Sequence, residues 1–503
     1  MSKKIIEIRK NSYSDSVTLM SISADIKKTD GIKDAVISMA TTMNKELLER
    51  VGLMTDEIVC CTENDMVIAC LCDDSVDKEQ IIALIDEKLK GNQSDGQEHE
   101  EVYRTIKGAK ENHPDANMVI ISVPGEYAAR EAMNSLRLGM NVMLFSDNVT
   151  IEEEKALKEY AHENELLVMG PDCGTAYINH TALCFANKVA EGSIGIVGAS
   201  GTGMQEMMVL IDRFGGGVSN AIGVGGRDLT YEIGGIMMLD GLRMLQNDRN
   251  TETIVIVSKV PAVEVKNKIM DVIENEITKP VVIYFTTDEV FQNTDTVYFG
   301  ASLEETARIA VALNSGQAAG KPECESDIEK KLTEKYICGL YCGGTLCSEA
   351  YYYLRNHLEN VHSNVAKKSE EKLKDVFKNE GNTLIDLGDD VFTNGRPHPM
   401  IDPTIRLDRI IDACKEPQTG VVLLDFELGF GSHDDPVGAT IETIKEGMKL
   451  AKNIGNHIKF VTYVCGTDAD YQNKKQQERM LREAGCIIAE SNIDAVCKAY
   501  SLL

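Results

Sequence analysis

The sequence predicts an α/β protein of several domains, and three observations support this. The chain has 503 residues, more than one hydrophobic core usually serves, so three or four domains of roughly 100–150 residues are expected. Short runs rich in Val and Ile alternate with helical stretches, as in βαβ units. The 40 glycines against 11 prolines also fit a chain with many tight strand-to-helix turns.

The composition narrows the class of function. A formal net charge of −28 argues against nucleic acid or an anionic membrane as a partner, because neutralising phosphates requires a basic face. The opening MSKKIIEIRK passes directly into strand-like sequence, and no apolar run reaches the ~18 residues of a membrane span, so we expect a cytoplasmic protein. The 14 cysteines lack paired Cys-x-x-Cys spacing, which predicts reduced core thiols and no metal site. A reactive thiol beside the second glycine turn, at Cys338, Cys342 or Cys347, is the alternative.

Residues 1–92 predict a small α/β domain of the ferredoxin-like type, because segments such as KKIIEIRK and DMVIACLC alternate with helices. The polar stretch KGNQSDGQEHEEV at 90–102 predicts a linker. Residues 103–190 alternate strand and helix with short loops, as a parallel Rossmann-like sheet requires. This domain lacks the GxGxxG turn of dinucleotide-binding units, so NAD and FAD are not expected and no cofactor is predicted.

Residues 191–315 and 335–503 follow one plan and predict two flavodoxin-like domains related by internal duplication. The linker NSGQAAGKPECESDIEK joins them. An alignment with a 25-residue insertion in the second block places Asp240 over Asp408, and both aspartates precede a matched strand by fourteen residues. The alternative is that any two flavodoxin-like domains share a strand, a turn and a helix.

Both blocks open with a strand, a turn ending in Gly-Thr, and a helix with an acid four residues later: GASGTGMQE and CGGTLCSE. Unpaired backbone N–H groups and the helix dipole make such a turn an anion site, although it can equally serve only to cap the helix. Packed about a pseudo-two-fold axis, the two helix N-termini would face one phosphate or carboxylate. The candidate residues are Ser200, Gly201, Thr202 and Gly203 in the first turn and Gly343, Gly344 and Thr345 in the second.

Further candidates lie in loops after strands. Arg227, beside Gly225 and Gly226, and Arg396 in TNGRPHP are the best arginines for binding a carboxylate or phosphate with two hydrogen bonds. His433 in GFGSHDDPVGA has two acidic neighbours and can act as an acid–base group or a phosphate ligand. A plain surface histidine in a turn is the alternative.

Longer motifs add a family resemblance. The run ISVPGEYAAREAMNSLRLGMNVMLFSDN, with GPDCGTA, GSIGIVGASGTGMQEM and AIGVGGRDL, resembles the α subunit of succinyl-CoA synthetase. Through EIRKNSYSDSVTLM, MNKELL, FSDN and CGTDADYQN, the whole chain resembles the FdrA family, an acyl-CoA-synthetase-like group. The resemblance implies a CoA-binding-type domain at 103–190 and ligase-CoA-type domains in the two blocks.

The sequence departs from the synthetase pattern. Where the synthetase α subunit has its phosphorylated histidine, this chain has Phe299-Gly300-Ala301. The glutamate that supports that histidine is matched by Lys259 in the first block and by Glu427 in the second. The first half of the Rossmann unit, with its phosphate turn, is replaced, so bound coenzyme A is not expected. No ATP-grasp domain is present in the sequence.

The FdrA resemblance implies a subunit of an oxamate carbamoyltransferase that acts with two partner proteins in anaerobic allantoin and purine degradation. The reaction interconverts oxalurate and phosphate with oxamate and carbamoyl phosphate, and it requires anion sites and oxyanion donors rather than a cofactor. Thr202, Thr345, Arg227 and His433 are the expected catalytic residues. The alternatives are an acyl-CoA ligase subunit phosphorylated at His433 and a non-catalytic scaffold that binds a metabolite.

Overall fold

The computed structural model describes residues 2–12, 14, 16–27, 29, 31–91, 102–316, 332, 334–393 and 396–503. Most of both predicted linkers lies outside these residues. The chain divides into two compact units, Met1–Tyr103 and Arg104–Leu503. Within the described residues, no helix is both long and apolar enough to cross a membrane.

The N-terminal unit is an antiparallel sheet covered by helices. Its elements are β1 (Ser2–Arg9), α1 (Ser16–Lys27), β2 (Ile32–Met39), α2 (Thr42–Arg50), α3 (Asp56–Val59), β3 (Met66–Asp73) and α4 (Lys78–Gly91). The described strands lie in the order β1-β3-β2, three where a ferredoxin-like sheet has four. Side chains alternate along β2: Ile37 packs with α1 and α4, and Val36 packs with α2 and α3. Cys70 and Cys72 on β3 are free, buried core thiols, as expected, whereas Cys497 is disulfide-bonded, so the prediction of reduced thiols is wrong there.

The second unit begins with a small parallel sheet. Its elements are α5 (Ile106–Asn112), β4 (Met118–Ile121), α6 (Gly125–Arg137), β5 (Asn141–Leu144), α7 (Ile151–Glu163) and β6 (Val168–Met169). The strands lie in the order β4-β5-β6, as the alternating pattern predicts. Thr150 starts α7 with a capping box to Glu153, which fixes where the helix begins.

A seven-stranded sheet follows, in the order β13-β12-β11-β9-β10-β7-β8. Its elements are β7 (Thr175–Ile178), β8 (Thr181–Cys184), β9 (Glu191–Gly198), α8 (Gly201–Arg213), β10 (Val218–Gly223), α9 (Ile236–Asn247), β11 (Thr253–Lys259), α10 (Val263–Glu276), β12 (Val281–Thr286), β13 (Val297–Phe299) and α11 (Leu303–Ser315). Strands β9 to β13 are parallel, whereas β7 and β8 form an antiparallel pair at the β10 edge.

The last block forms a six-stranded parallel sheet in the order β15-β16-β14-β17-β18-β19. Its elements are β14 (Tyr336–Tyr341), α12 (Gly344–Arg355), β15 (Val361–Ser363), β16 (Asn382–Asp386), α13 (Asp390–Thr393), α14 (Thr404–Lys415), β17 (Thr419–Glu427), α15 (Pro436–Asn453), β18 (Lys459–Cys465), α16 (Lys474–Glu483), β19 (Ile487–Ala489) and α17 (Asn492–Ser501). All nine residues of β17 are buried, as expected of a central strand covered on both faces.

The two larger sheets share one topology. The strands β10-β9-β11-β12-β13 and β16-β14-β17-β18-β19 both have the flavodoxin-like order 2-1-3-4-5. The second block carries β15 as an additional edge strand, in the region where the alignment requires an insertion. The α/β fold with two flavodoxin-like domains is therefore confirmed, and the shared strand order supports the predicted duplication.

The two blocks also cap each other's last helix. Glu206 on α8 accepts hydrogen bonds from the backbone N–H of Asn492 at the start of α17 (3.2 Å) and from the Tyr463 hydroxyl (2.6 Å). Glu349 on α12 accepts from the backbone N–H of Leu303 at the start of α11 (2.8 Å) and from the Asn492 side-chain amide (2.8 Å). These are the acids four residues after each Gly-Thr. Their reciprocal contacts are those of a pseudo-two-fold arrangement.

Candidate functional site

The first glycine turn connects β9 to α8. Ser200 is the N-cap residue, and its Oγ accepts the backbone N–H of Gly203 at 3.1 Å. Gly201 and Thr202 occupy the first two helical positions, where backbone N–H groups have no carbonyl partner within the helix. Because the helix dipole adds partial positive charge there, this turn can bind an anion.

The second glycine turn lies directly against the first. The Ser200 Oγ and the Thr345 Oγ1 are 2.5 Å apart, and the Thr345 N–H donates to the Thr202 Oγ1 at 3.4 Å. A Cβ added at Gly203 would lie 3.0 Å from the Thr345 Cγ2. The structure therefore brings the beginnings of α8 and α12 into contact, as a shared anion site requires.

Carboxylates of the chain itself occupy much of the second turn. Asp425 on β17 accepts the backbone N–H groups of Cys342 and Gly343, each at 2.8 Å. A Cβ at Gly344 would lie 2.5 Å from the Asp386 Oδ2, so this second carboxyl group packs against the start of α12. The prediction that Gly343 offers its N–H to a substrate anion is wrong, because β17 lies beside β14 and places Asp425 under the turn.

Asp386 links the two blocks electrostatically. Burial raises the pKa of Asp386 to about 7, while its hydrogen bond from the Gly388 N–H and the ammonium of Lys259 act in the opposite direction. Lys259 is exposed and ends β11, two residues after Val257, which pairs with Gly198 of β9. A positive charge therefore stands near the carboxyl ends of both sheets, in a chain that is otherwise strongly acidic.

An acid cluster lies beneath the second turn. Asp425 pairs with the buried guanidinium of Arg406, Nη2 to Oδ1 at 3.2 Å, and the Arg406 Nη1 donates to the Cys342 Sγ at 3.0 Å. Burial and the neighbouring Asp425 raise the pKa of Glu427 well above its usual value. Burial also raises the pKa of the Cys342 thiol well above its usual range, so the free-thiol state dominates near neutrality.

The loop with Gly225 and Gly226 is held by charged groups of α7. The Arg227 Nη2 donates to the Val149 carbonyl at 2.7 Å and pairs with Glu154 at 2.8 Å. Gly225 has a φ of +84°, and a Cβ there would lie 2.6 Å from the Pro171 carbonyl oxygen, whereas a Cβ at Gly226 would meet no atom within 4 Å. The fully buried Glu154 thus pairs with the Arg227 Nη2, while the Arg227 side chain is still 41% exposed, so its binding of a substrate anion stays a prediction.

His433 lies beside the acid cluster. It lines a small pocket together with Cys342, Arg406 and Glu427. The His433 Nδ1 accepts the backbone N–H of Asp435 at 3.0 Å, so the Nε2 remains for other contacts. Its two acidic neighbours have other partners: Asp434 accepts from the Tyr471 hydroxyl, and Asp435 caps α15.

Other sequence candidates lie elsewhere. The segment Phe299-Gly300-Ala301 connects β13 to α11, and the Ala301 N–H donates to the Glu305 carboxylate at 2.7 Å. Arg396 follows α13 and donates its backbone N–H to the Thr393 carbonyl. The structure does not join either of them to the paired turns.

Sequence reasoning missed Asp386, Asp425 and Arg406. One signal was available: both aspartates lie at the carboxyl ends of apolar runs, in LIDLG and LLDFELG. Charged residues are rare in buried strands, so an aspartate in such a run indicates a specific contact or a functional role. Arg406, in TIRLDRIID, gives no such signal, because its burial follows from the packing of α14 on the sheet.

Three family models match the chain. Residues 340–502 match the CoA-ligase model, residues 189–287 match the CoA-binding domain, and residues 1–104 match the heavy metal-associated domain of AllF. The CoA-binding match falls in the 191–315 block rather than in the 103–190 block, so the assignment of 103–190 remains a prediction.

Two individual proteins are also similar to this chain in sequence. The chain is 46% identical over 501 residues to the uncharacterized protein YahF of Escherichia coli (strain K12), covering 98% of this chain and 97% of that protein. It is 28% identical over 192 residues to the succinate–CoA ligase [ADP-forming] subunit α of Aquifex aeolicus (strain VF5), covering 36% of this chain and 60% of the relative. The chain therefore spans less than two thirds of that subunit.

Solved structures resemble the chain more distantly. A dinucleotide-forming acetyl-coenzyme A synthetase 1 of Ca. Korarchaeum cryptofilum is 15% identical, with a TM-score of 0.35, over 81% of this chain and 86% of that one. The ATP citrate lyase of Methanothrix soehngenii is 14% identical, with a TM-score of 0.38, over 80% and 84% of the two chains.

Proposed function

This chain belongs to an acyl-CoA-synthetase-like family that includes the uncharacterized protein YahF of Escherichia coli (strain K12), and we propose that it is a subunit of an acyl-CoA-ligase-type enzyme. In this proposal, a phosphate or carboxylate group of a small substrate binds where α8 and α12 begin. The observation that carries the proposal is the direct contact between the two turns, Ser200 Oγ to Thr345 Oγ1 at 2.5 Å.

The described contacts assign a role to each part of this site. Gly201 and Thr202 contribute backbone N–H groups, and Gly203 lacks the side chain that would crowd Ser200 and Thr345. The hydroxyls of Ser200, Thr202 and Thr345 stand at the same point and can donate to an oxyanion. On the second turn, Gly344 remains as a candidate donor, whereas Gly343 is occupied by Asp425.

A ligase of the succinyl-CoA synthetase type needs a residue that carries phosphate. The segment 299–301 has no histidine, and His433 is the candidate in its place. The pocket that His433 lines also contains Cys342, the residue that immediately precedes the second glycine turn. Because the His433 Nδ1 accepts the Asp435 N–H, the neutral ring carries its proton on Nε2, so phosphorylation of Nε2 requires a base to remove that proton first.

The second candidate function is carbamoyl transfer between phosphate and oxamate. One observation favours it: in the first block, Lys259 stands where a phosphohistidine enzyme needs a supporting glutamate, and only the second block has that glutamate, as Glu427. Carbamoyl phosphate already carries an activated acyl group, so its transfer needs no protein phosphate. The paired turns would bind the phosphate, and two partner subunits would complete the enzyme of anaerobic allantoin breakdown.

Two assays on one preparation separate the candidates. The chain, alone and with its partner proteins, is incubated with labelled ATP or acetyl phosphate and then treated with acid or base. An acid-labile, base-stable phosphate that is lost in His433→Ala supports the ligase. Oxalurate phosphorolysis without any protein-bound phosphate supports carbamoyl transfer.

The scaffold alternative gives a third pattern. In that case Thr202→Ala and Gly201→Val leave the turnover of the reconstituted complex unchanged in both assays. This result would contradict a catalytic role for the paired turns, and the chemistry would then belong to a partner.

A further inference from the structure

Three side chains of the acid cluster carry atoms that bind transition metals. The Cys342 Sγ and one carboxylate oxygen each of Asp425 and Glu427 lie within 4.8 Å of one another, and all three residues are buried. Ligands 2.0–2.3 Å from a tetrahedral ion are roughly 3.5 Å apart, so side-chain shifts of about an ångström would close the set. No sequence motif predicts this group, because Cys342 follows β14 whereas the two acids lie on β17, far away in the sequence.

An unpartnered carboxyl oxygen points into this group. Glu427 is 3% exposed, and within the part of the chain that the structure describes its Oε1 receives no hydrogen bond, although its carboxyl group also contacts that of Asp425, and burial together with this contact raises the pKa of Glu427. A buried polar atom left without a partner costs about 1–3 kcal/mol, so a bound ligand at this atom would be stabilising. Glu427 and Cys342 also line the small pocket that contains His433, whose volume of about 10 Å³ is that of one water molecule.

The charges of the cluster match a divalent cation. The cluster contains three acidic side chains and one permanent positive charge, the guanidinium of Arg406, which donates to Cys342 and Asp425. With all three acids ionised, two negative charges would remain buried and uncompensated, which is strongly unfavourable. Either two retained protons or one divalent ion restores neutrality.

We propose that Cys342, Asp425 and Glu427 bind one Zn²⁺ ion, with the fourth coordination position open toward the pocket that His433 lines. A thiolate with carboxylates selects zinc over magnesium or calcium, and three protein ligands with one open position are typical of reactive zinc sites. On binding, the Cys342 thiol and the Glu427 carboxyl each lose one proton to solvent, and no electron is transferred. The proposal does not depend on which reaction the enzyme performs.

The test compares metal content among variants of the full chain. Wild type, Cys342→Ser and Glu427→Gln are loaded with excess Zn²⁺, dialysed against metal-free buffer, and measured by inductively coupled plasma mass spectrometry. Cys347→Ser is the matched control, since Cys347 is also a buried thiol close to the second turn but lies outside the cluster. We expect wild type and Cys347→Ser to retain one equivalent more than the other two variants. Comparison with wild type removes zinc bound at other cysteines.

Cobalt provides a second measurement. Co²⁺ bound to wild type should show thiolate-to-metal charge-transfer absorption, which Cys342→Ser reduces and Cys347→Ser keeps. Circular dichroism checks that each variant is folded. If Cys342→Ser fails to fold, Glu427→Gln decides on metal content. Equal metal content in wild type and every folded variant, or no thiolate absorption in wild type, would overturn the proposal.

Discussion

Ser200 and Thr345 show how single side chains serve two purposes at this site. The Ser200 hydroxyl caps its own helix through the Gly203 N–H, and it also hydrogen-bonds to the first turn of the opposite helix. The Ser200 Oγ therefore both caps α8 and holds the two turns together. In the second block the hydroxyl comes from Thr345, at the second helical position of α12. The N-cap residue there is Gly343, which has no side chain.

Ser200→Ala should destabilise the protein by about 2–4 kcal/mol. The lost cap accounts for ~1 kcal/mol, and the unpaired buried hydroxyl of Thr345 accounts for ~1–3 kcal/mol. Ser302→Ala is the control, because the Ser302 hydroxyl caps α11 through the Glu305 N–H, and the Thr306 hydroxyl donates to the Ser302 backbone carbonyl, which alanine keeps. Urea denaturation of both variants measures the difference. Equal losses in the two variants would contradict a cross-helix role for Ser200.

Thr202→Ala should lower turnover about a hundredfold in the partner-reconstituted enzyme, the typical effect of one lost oxyanion donor. The fold should remain, because among the described residues the hydrogen bond of the Thr202 hydroxyl is a long one, from the Thr345 N–H at 3.4 Å. Steady-state kinetics beside thermal unfolding separates the two effects. A rate loss that follows the loss of stability would assign Thr202 a structural role.

At the scale of the element, the two strand-turn-helix units share a sequence pattern but not an environment. A Cβ at Gly201 would meet only the Thr175 Oγ1, at 3.4 Å, whereas a Cβ at Gly344 would lie 2.5 Å from the Asp386 Oδ2. The first helix begins at an open position, and the second begins against a carboxyl group. The two turns are therefore unequal as binding sites.

Substituting alanine for each glycine should reveal this inequality. Gly344→Ala should cost about 1–3 kcal/mol through overpacking against Asp386, and Gly201→Ala should leave stability unchanged or raise it by ~0.5–1 kcal/mol. Guanidinium denaturation measures both. Adding Asp386→Ala to Gly344→Ala should recover part of the loss if this contact is its cause. Equal effects at both glycines would contradict the assigned asymmetry.

The sequence predicts these elements better than it predicts what surrounds them. Strand β14, the turn and helix α12 follow from a β-branched run, two glycines and a helical pattern. The occupation of the Gly343 N–H by Asp425 does not follow, because it depends on β17 pairing with β14, some 80 residues away. Two other contacts are equally non-local: the ion pair of Arg227 with Glu154 and the proximity of Cys342 to Glu427. Local sequence patterns and residue spacing cannot predict them.

At the scale of the whole molecule, buried acids join the two blocks. Burial raises the pKa of Glu349 to about 7, although its hydrogen bonds from Leu303 and Asn492 favour the ionised form. The folded protein therefore binds this proton more tightly than the unfolded chain, in which a glutamate titrates near 4.3. The stability that protonated Glu349 contributes is complete below the unfolded pKa and is lost as pH rises through about 7.

Glu349→Gln should flatten this dependence. Between about pH 4.5 and pH 7, wild type should lose on the order of 3 kcal/mol more stability than the variant, since one pKa unit corresponds to ~1.36 kcal/mol. The test is to measure the unfolding free energy of both proteins across this pH range. Taking the difference cancels the contribution of other groups with raised pKa values, such as Asp386. Parallel curves would show that Glu349 does not titrate in this window.

The reciprocal caps of Glu206 and Glu349 have a consequence for how the second unit could be divided. If the two halves were produced as separate polypeptides, each would expose one buried glutamate and one helix end that only the other half can satisfy. Neither half would be complete alone, because each supplies the glutamate that caps a helix of the other. Linking the two halves in one chain raises their effective local concentration. The groups by which they bind each other are the glutamates and helix ends at their interface.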